Sequence, residues 1–266
     1  MNINSLKLIY FSPTGTTRRV LEAIAQGTRI NEVVHIDLTP PAAKAMKSVD
    51  MNNELAIIGA PVYSGRLPAA AFSRLRNLRG HGAPAVIVVV YGNRAYEDAL
   101  LELSDLSVVA GFIPVAAGAF IGEHSYSNKS RPIAPGRPDV EDLRKAKEFG
   151  NAVYDKIRDV QELQKMPALR VPGNFPYKEL GGLSDISPVT QEALCVKCET
   201  CASVCPGAAI SVKDTVITDS GVCIRCCACV KNCPTGARAM EDTRIRQIAE
   251  QLTIKCSERK EPETYI

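Results

Sequence analysis

Tryptophan is absent from this 266-residue sequence, aromatic residues make up 5% of it, and there are three histidines. No cysteine occurs before Cys195. No segment approaches the roughly 18 apolar residues of a membrane span, and the N-terminal MNINSLKLIYFSPTG has no basic region ahead of a long apolar run. The expectation is therefore a soluble, cytoplasmic protein without a membrane span. A formal charge of +3 is too small to announce nucleic acid as a partner or a membrane surface as a support. Two phosphate motifs are also missing. There is no G-x-x-x-x-G-K-[ST], and no G-x-G-x-x-G follows the first apolar run, so neither ATP hydrolysis nor a built-in nicotinamide site is supported. With aromatics so scarce, each tyrosine beside a glycine-rich loop gains weight as a candidate flat surface for a ligand.

What is present reads as globular. Hydrophobic residues are 45% and charged residues 23%, and the length suits about one to two domains. Apolar runs at 6–12, 32–38, 54–61, 84–92 and 113–122 alternate with stretches of helical spacing: TRRVLEAIAQG, which stops at a glycine, AAAFSRLRNLRG and AYEDALLELSDLSVVAG. The long DVEDLRKAKEFGNAVYDKIRDV closes the series with its charges outward. This predicts an α/β domain over residues 1–162, a doubly wound five-stranded parallel sheet covered by helices on both faces. Residues 163–188 are rich in Pro and Gly, lose all periodicity and read as a linker. Residues 189–240 hold most of the cysteines, and 241–266 read as a short helix followed by a polar tail.

All ten cysteines lie between Cys195 and Cys256. A secreted disulfide framework explains them poorly, and metal ligation explains them better. ALCVKCETCASVCPGAAI and GVCIRCCACVKNCPTGAR repeat with an offset of 28 residues. Each reads C-x2-C-x2-C-x3-C-P: Cys195, Cys198, Cys201 and Cys205 before Pro206, then Cys223, Cys226, Cys229 and Cys233 before Pro234. Zinc held by four thiolates normally uses two separated C-x2-C knuckles, and needs neither a third close cysteine nor the proline. This segment resembles the bacterial two-cluster 4Fe-4S ferredoxins, a small α+β fold in which the fourth cysteine of each run ligates the other cluster. The resemblance implies one cluster on Cys195, Cys198, Cys201 and Cys233, and another on Cys223, Cys226, Cys229 and Cys205. Cys227 and Cys256 fall outside the spacing and read as small buried hydrophobes.

The first apolar run leads into SPTGTTRRVLEAIA, where Ser12, Thr14, Gly15, Thr16 and Thr17 stand just before a helix. Hydroxyls and N–H groups at a helix N-terminus suit a phosphate, although an ordinary polar N-cap reads the same way. Ligands of open α/β sheets bind at the carboxyl ends of the strands. The third and fourth runs end there in APVYSGRLP and YGNRAYED. On these residues the first 160 positions resemble the flavodoxins. The resemblance implies FMN, with the first loop on its phosphate, Pro61, Val62, Tyr63, Ser64 and Gly65 in the second loop, and Tyr91, Gly92, Asn93 and Tyr96 in the third. Tyr96 is the candidate for stacking on the isoalloxazine ring, with Tyr63 across from it or at its edge; core packing is the alternative for either. Arg18, Arg19, Arg66 and Arg94 depart from the acidic character of free flavodoxins and are candidates for contacts with phosphate, the second domain or a partner. His124, in the 123–139 segment that follows the fifth run, is the one histidine to consider near the flavin, with a solvated loop histidine as the favoured alternative, and the segment itself reads as a lid or docking surface.

Taken together, the chain resembles the flavodoxin-ferredoxin fusion proteins, the EFR-type ferredoxins found in anaerobes. The resemblance implies an electron-transfer protein that passes single electrons between two 4Fe-4S clusters and an FMN, and on to a partner oxidoreductase, with no catalytic residue of its own. The alternative is an iron–sulfur flavoenzyme that reduces a small organic substrate at the flavin.

Overall fold

Five apolar runs become strands, four of them largely buried and the one at 32–37 a mostly exposed strand at the sheet's edge. The structure is a computed structural model, which describes residues 3, 5–46, 48–51, 54–181 and 185–266. In chain order, β1 (Ser5–Tyr10), α1 (Thr16–Gly27) and β2 (Glu32–Asp37) are followed by β3 (Val49–Asp50) and β4 (Leu55–Pro61). Next come α2 (Ala69–Leu75), β5 (Leu78–Arg79), β6 (Pro84–Tyr91), α3 (Ala99–Val109), β7 (Ile113–Ile121) and α4 (Val140–Arg158). Every residue of β4 and β6 is buried, without the alternation of a half-exposed sheet. The parallel strands run β2-β1-β4-β6-β7, which is the flavodoxin-like doubly wound order. β3 and β5 form a separate two-residue pair. One face of the sheet packs on α2 and α3, the other on α1 and α4. The strand order reverses between β1 and β4, and this places their carboxyl-end loops on either side of a crevice.

The glycine that was read as the stop of α1 has another role. Gly27 lies inside the helix, and Thr28, with φ −70°, caps it. A Cβ on Gly27 would overlap the Lys147 carbonyl oxygen, and one on Gly150 would overlap that of Ile24. The two glycines let the backbones of α1 and α4 touch, which brings the closing helix flat against α1.

Beyond α4 the chain forms β8 (Val189–Thr190), α5 (Thr200–Ser203), β9 (Ile210–Val212), β10 (Val216–Thr218), α6 (Ala228–Lys231) and β11 (Arg238–Ala239). β9 pairs with β10 and β8 with β11, both antiparallel. The sequence repeat is also a conformational repeat. Lys197 and Arg225, then Glu199 and Cys227, take left-handed φ values of 52°, 57°, 60° and 57° at the same 28-residue offset. The last pair precede α5 and α6.

Two expectations need correcting. The residues after α7 (Thr243–Lys255) do not trail off as a polar tail: β12 (Glu263–Tyr265) pairs antiparallel with β7, making a sixth strand. The period-free stretch before residue 188 is not loose either, although its residues 182–184 lie outside the described residues. The Asp98 carboxylate accepts from the Asn174 and Lys178 N–H groups at 2.8 and 2.7 Å, and Tyr177 donates to Asp105. Both anchors precede or lie on α3, so the connection is strapped along the first unit.

Candidate functional site

A cavity of about 240 Å³ opens at the carboxyl ends of β1, β4 and β6. All three candidate loops reach it: Thr14 and Thr16 from the first, Pro61, Val62, Tyr63 and Ser64 from the second, Tyr91 and Gly92 from the third. Gly15, with φ +81°, turns the first loop into α1, whose first turn carries no acidic residue and no side-chain cap on Gly15. That helix start can accept an anion.

The remaining candidates do not line the cavity, for identifiable reasons. Ser12 Oγ accepts from the Arg18 N–H at 3.1 Å, which makes it a brace for the helix start. Thr17 is fully buried, and its hydroxyl oxygen has no hydrogen-bond partner. Gly65 is packed against Glu97. Asn93 is 2% exposed and spends its amide on the carbonyls of Cys256 and Glu258, at 2.8 and 2.7 Å. Tyr96 is the clearest correction. Its ring sits edge-on to Tyr91, and its hydroxyl bonds Glu263 and Tyr265 at 2.7 and 2.9 Å. The strand β12 has claimed it, and Tyr63 and Tyr126 are the tyrosines with access to the cavity beside Tyr91.

His124, Ser125 and Tyr126 come from the loop after β7, and the other walls come from sequence far from the strand ends: Ile224 and Arg225 between cysteines, then Ile248 and Leu252 on α7. No strand-end argument could find these. The signal for α7 was its apolar spacing, and for Arg225 its place inside the cysteine run. Most of the arginines expected near the site are committed elsewhere. Arg18 pairs with Glu22, Arg19 donates to the Pro138 carbonyl, and Arg66 forks onto Glu102 at 2.8 Å through each nitrogen while lying over the Tyr177 ring. Arg94 does line the cavity, held by Glu97 at 2.5 Å.

His124 is not a solvated loop histidine. Its ring leans on Tyr126, its Nδ1 accepts the Tyr126 N–H at 3.1 Å, and burial, with Arg94 and Lys231 nearby, pushes its pKa down to about 4. Since the unfolded value is about 6.5, the unfolded chain binds the extra proton first, and stability falls as pH drops from 6.5 toward 4. Chemical unfolding should show a fall between pH 7 and pH 4 that is larger in the wild type than in His124→Gln by roughly 1–3 kcal/mol. Parallel pH profiles would disprove a buried neutral imidazole.

The eight spaced cysteines sort into two cavities. Cys195, Cys198, Cys201 and Cys233 line one, and Cys205, Cys223, Cys226 and Cys229 line the other. All are free thiols. Burial, reinforced by Cys229, Cys205 and Cys223, raises Cys226 to about 12, and burial likewise raises Cys201, Cys223 and Cys229. Such thiols ionise together only when a cation supplies the opposing charge, which suits a donor set for iron. Cys227 is 2% exposed beside this set, and Cys256 is buried against Ile133, Ala249 and Leu252.

Two side chains join the sheet-edge cavity to the second thiol set. Ile224 lines both, and Cys226 and Cys227 stand close enough to Tyr63 to raise its hydroxyl pKa further, after burial has done most of it. Docking is polar as well as apolar. Lys231 Nζ reaches Glu123 at 2.5 Å and the Ser127 carbonyl at 2.7 Å, and the buried Arg74 donates to the Pro206 carbonyl at 2.6 Å.

Residues 188–211 match the 4Fe-4S binding domain family. The match contains the first cysteine run; the second lies beyond it. No curated protein matches the chain. Among solved structures, a flavodoxin from the domain Archaea is 16% identical, with 58% of this chain and 99% of that one covered at a TM-score of 0.40. A WrbA-like flavodoxin from Agrobacterium tumefaciens is 16% identical, covering 58% and 98% at 0.39. The apo form of an NADH:FMN oxidoreductase is 14% identical, covering 59% and 92% at 0.42. A doubly wound sheet in flavodoxin order, followed by a stretch similar to a 4Fe-4S domain, fits a flavodoxin-ferredoxin fusion and supports an iron–sulfur role in electron transfer. No helix among the described residues is long and apolar enough to cross a membrane.

Proposed function

We propose that this chain is an internally wired electron carrier, with FMN in the cavity at the sheet's carboxyl edge and a 4Fe-4S cluster in each cysteine-lined cavity. Thr14 and Thr16 would meet the phosphate, and Tyr63, Tyr91 and Tyr126 would border the ring. Cys195, Cys198, Cys201 and Cys233 would hold one cluster, and Cys205, Cys223, Cys226 and Cys229 the other. When bound, the flavin supplies one- or two-electron chemistry and each cluster one-electron chemistry.

The observation that carries this reading is the shared wall at Ile224, which borders both the sheet-edge cavity and the inner thiol set. The outer set has Cys198 exposed and Val196 beside it 64% exposed, so that side offers the port for a partner oxidoreductase. Burial holds the His124 imidazole neutral at pH 7, so the substrate-reducing alternative would draw its proton from another group, such as the Tyr63 or Tyr126 hydroxyl.

Anaerobically prepared protein should contain one flavin and about eight irons, and should be reoxidised by partner oxidoreductases but not by a panel of small organic acceptors. Flavin without iron, or iron without flavin, sinks the reading. Rapid turnover with a small acceptor would move the chain to the enzyme alternative.

A further inference from the structure

The two thiol sets share one buried cation. Arg238, in β11, is 3% exposed and lines the cavity of Cys195, Cys198, Cys201 and Cys233. Its Nη2 lies 3.8 Å from Cys229 Sγ, in the other set. Its own main-chain N–H faces the Cys233 sulfur. The guanidinium otherwise donates to two neutral hydroxyls, Thr190 Oγ1 at 2.6 Å and Thr218 Oγ1 at 2.7 Å. No carboxylate pairs with it among the described residues, and its Nε–H is buried without any partner.

A guanidinium stays charged under all ordinary conditions, and an uncompensated buried charge costs several kcal/mol. Two hydroxyls and a thiol do not offset that. Four thiolates around an iron core do, because the assembly is negative on balance. Arg238 sits where two such assemblies would face each other. As a strand staple between Thr190 and Thr218 it could have been a neutral, hydrogen-bonding residue. The charge and the unpaired N–H are what a staple leaves unexplained.

Resting on the proposed two-cluster reading, we propose that Arg238 is the common counter-cation of both cluster sites, a positioning residue that favours the reduced state of each. Cluster potentials respond to net charge and to hydrogen bonds on the sulfurs, and Arg238 supplies both. An electron passing between clusters held in the two sets would make or break no bond and move no proton, and it would stay within the field of the same cation on either side.

The test is a redox titration of the full-length, anaerobically reconstituted protein followed by EPR. Wild-type protein must first show about eight irons and two reducible centres; failure there removes the two-cluster reading, whatever Arg238 does. In Arg238→Gln, the reduced-to-oxidised ratio of both centres at a fixed potential should fall about tenfold, equivalent to about 59 mV for a one-electron couple. Arg238→Lys should recover most of it. Ratios unmoved in Arg238→Gln, a shift in one centre alone, or a lysine variant as low as the glutamine variant overturns the assignment. Should Arg238→Gln fail to retain iron, pulsed EPR decides on protein with Arg238 intact, labelled with 15N in its guanidinium groups and carrying Arg225→Lys to remove the neighbouring signal. Nitrogen coupling to both reduced centres is expected, and coupling to one or neither overturns the proposal.

Discussion

Serine at position 205 should abolish one iron–sulfur centre and spare the other, with iron falling from about eight to about four per chain. The centre lost should be the one served by Cys223, Cys226 and Cys229, although all three lie beyond the run that contains Cys205. Cys205 is 9% exposed in the cavity those three line, and its sulfur accepts the Ala209 N–H at 3.3 Å. Serine Cβ–OH is shorter and harder than a thiolate and cannot reach iron equally well. Cys233→Ser should give the mirror result, because Cys233 stands with Cys195, Cys198 and Cys201. EPR of the two variants separates them. If Cys205→Ser instead removes the centre of its own run, the crossed arrangement is wrong. Because Ile224 belongs to the cavity emptied in Cys205→Ser, that variant should also show the slower reduction of flavin by an external one-electron donor.

The largest loss of stability should follow Asp142→Ala. Asp142 has no exposed surface, and Arg137, 6% exposed, grips it through Nε at 2.7 Å and through Nη2. The same carboxylate accepts the Asp139 N–H at the start of α4 and a fourth, longer bond from Arg259. Arg137 also donates to the Lys260 carbonyl, and its own carbonyl receives the Glu123 N–H. One ion pair therefore ties the 123–139 segment, α4 and the C-terminal return. Removing the acid strands a buried guanidinium, at a cost of about 3–5 kcal/mol, or on the order of 10 °C in Tm. Replacing both partners with apolar residues should recover much of this. A single-variant cost below about 1 kcal/mol, the range of an exposed pair, would refute the buried-charge argument. Flavin affinity should fall alongside, since Glu123 and His124 border the cavity from this segment.

The doubly wound sheet was legible because buried strands announce themselves as β-branched and apolar runs: β4 and β6 match their predicted spans to within a residue. The two cysteine runs were legible because ligand spacing is local chemistry, while the exchange of Cys205 and Cys233 between the cavities came from the resemblance to two-cluster ferredoxins. What stayed hidden depended on distant partners. Gly27 looks like a stop signal, and only Gly150 explains it. Tyr96 looks like a flavin stacker until Glu263 and Tyr265 take its hydroxyl. Arg66 looks like a ligand contact until Glu102 forks onto it. Each of these reads differently because the competing group lies dozens or hundreds of positions away. The walls contributed by Ile224, Arg225 and α7 belong to the same class, since a motif search along strand ends has no view of a second unit folding back over them.

That fold-back shapes assembly as well as electron flow. β12 pairs Glu263 with Ala119, a contact between segments more than half the chain apart, with every cysteine lying in the intervening loop. A contact of such high sequence separation is of the kind that slows folding. Until it happens, the backbone groups along the free side of β7 form an open edge, the kind that pairs with other chains. The cysteine-rich unit is thus a hinge pin threaded between a sheet and its own final strand. Any delay in closing this loop would leave that edge of β7 open for longer.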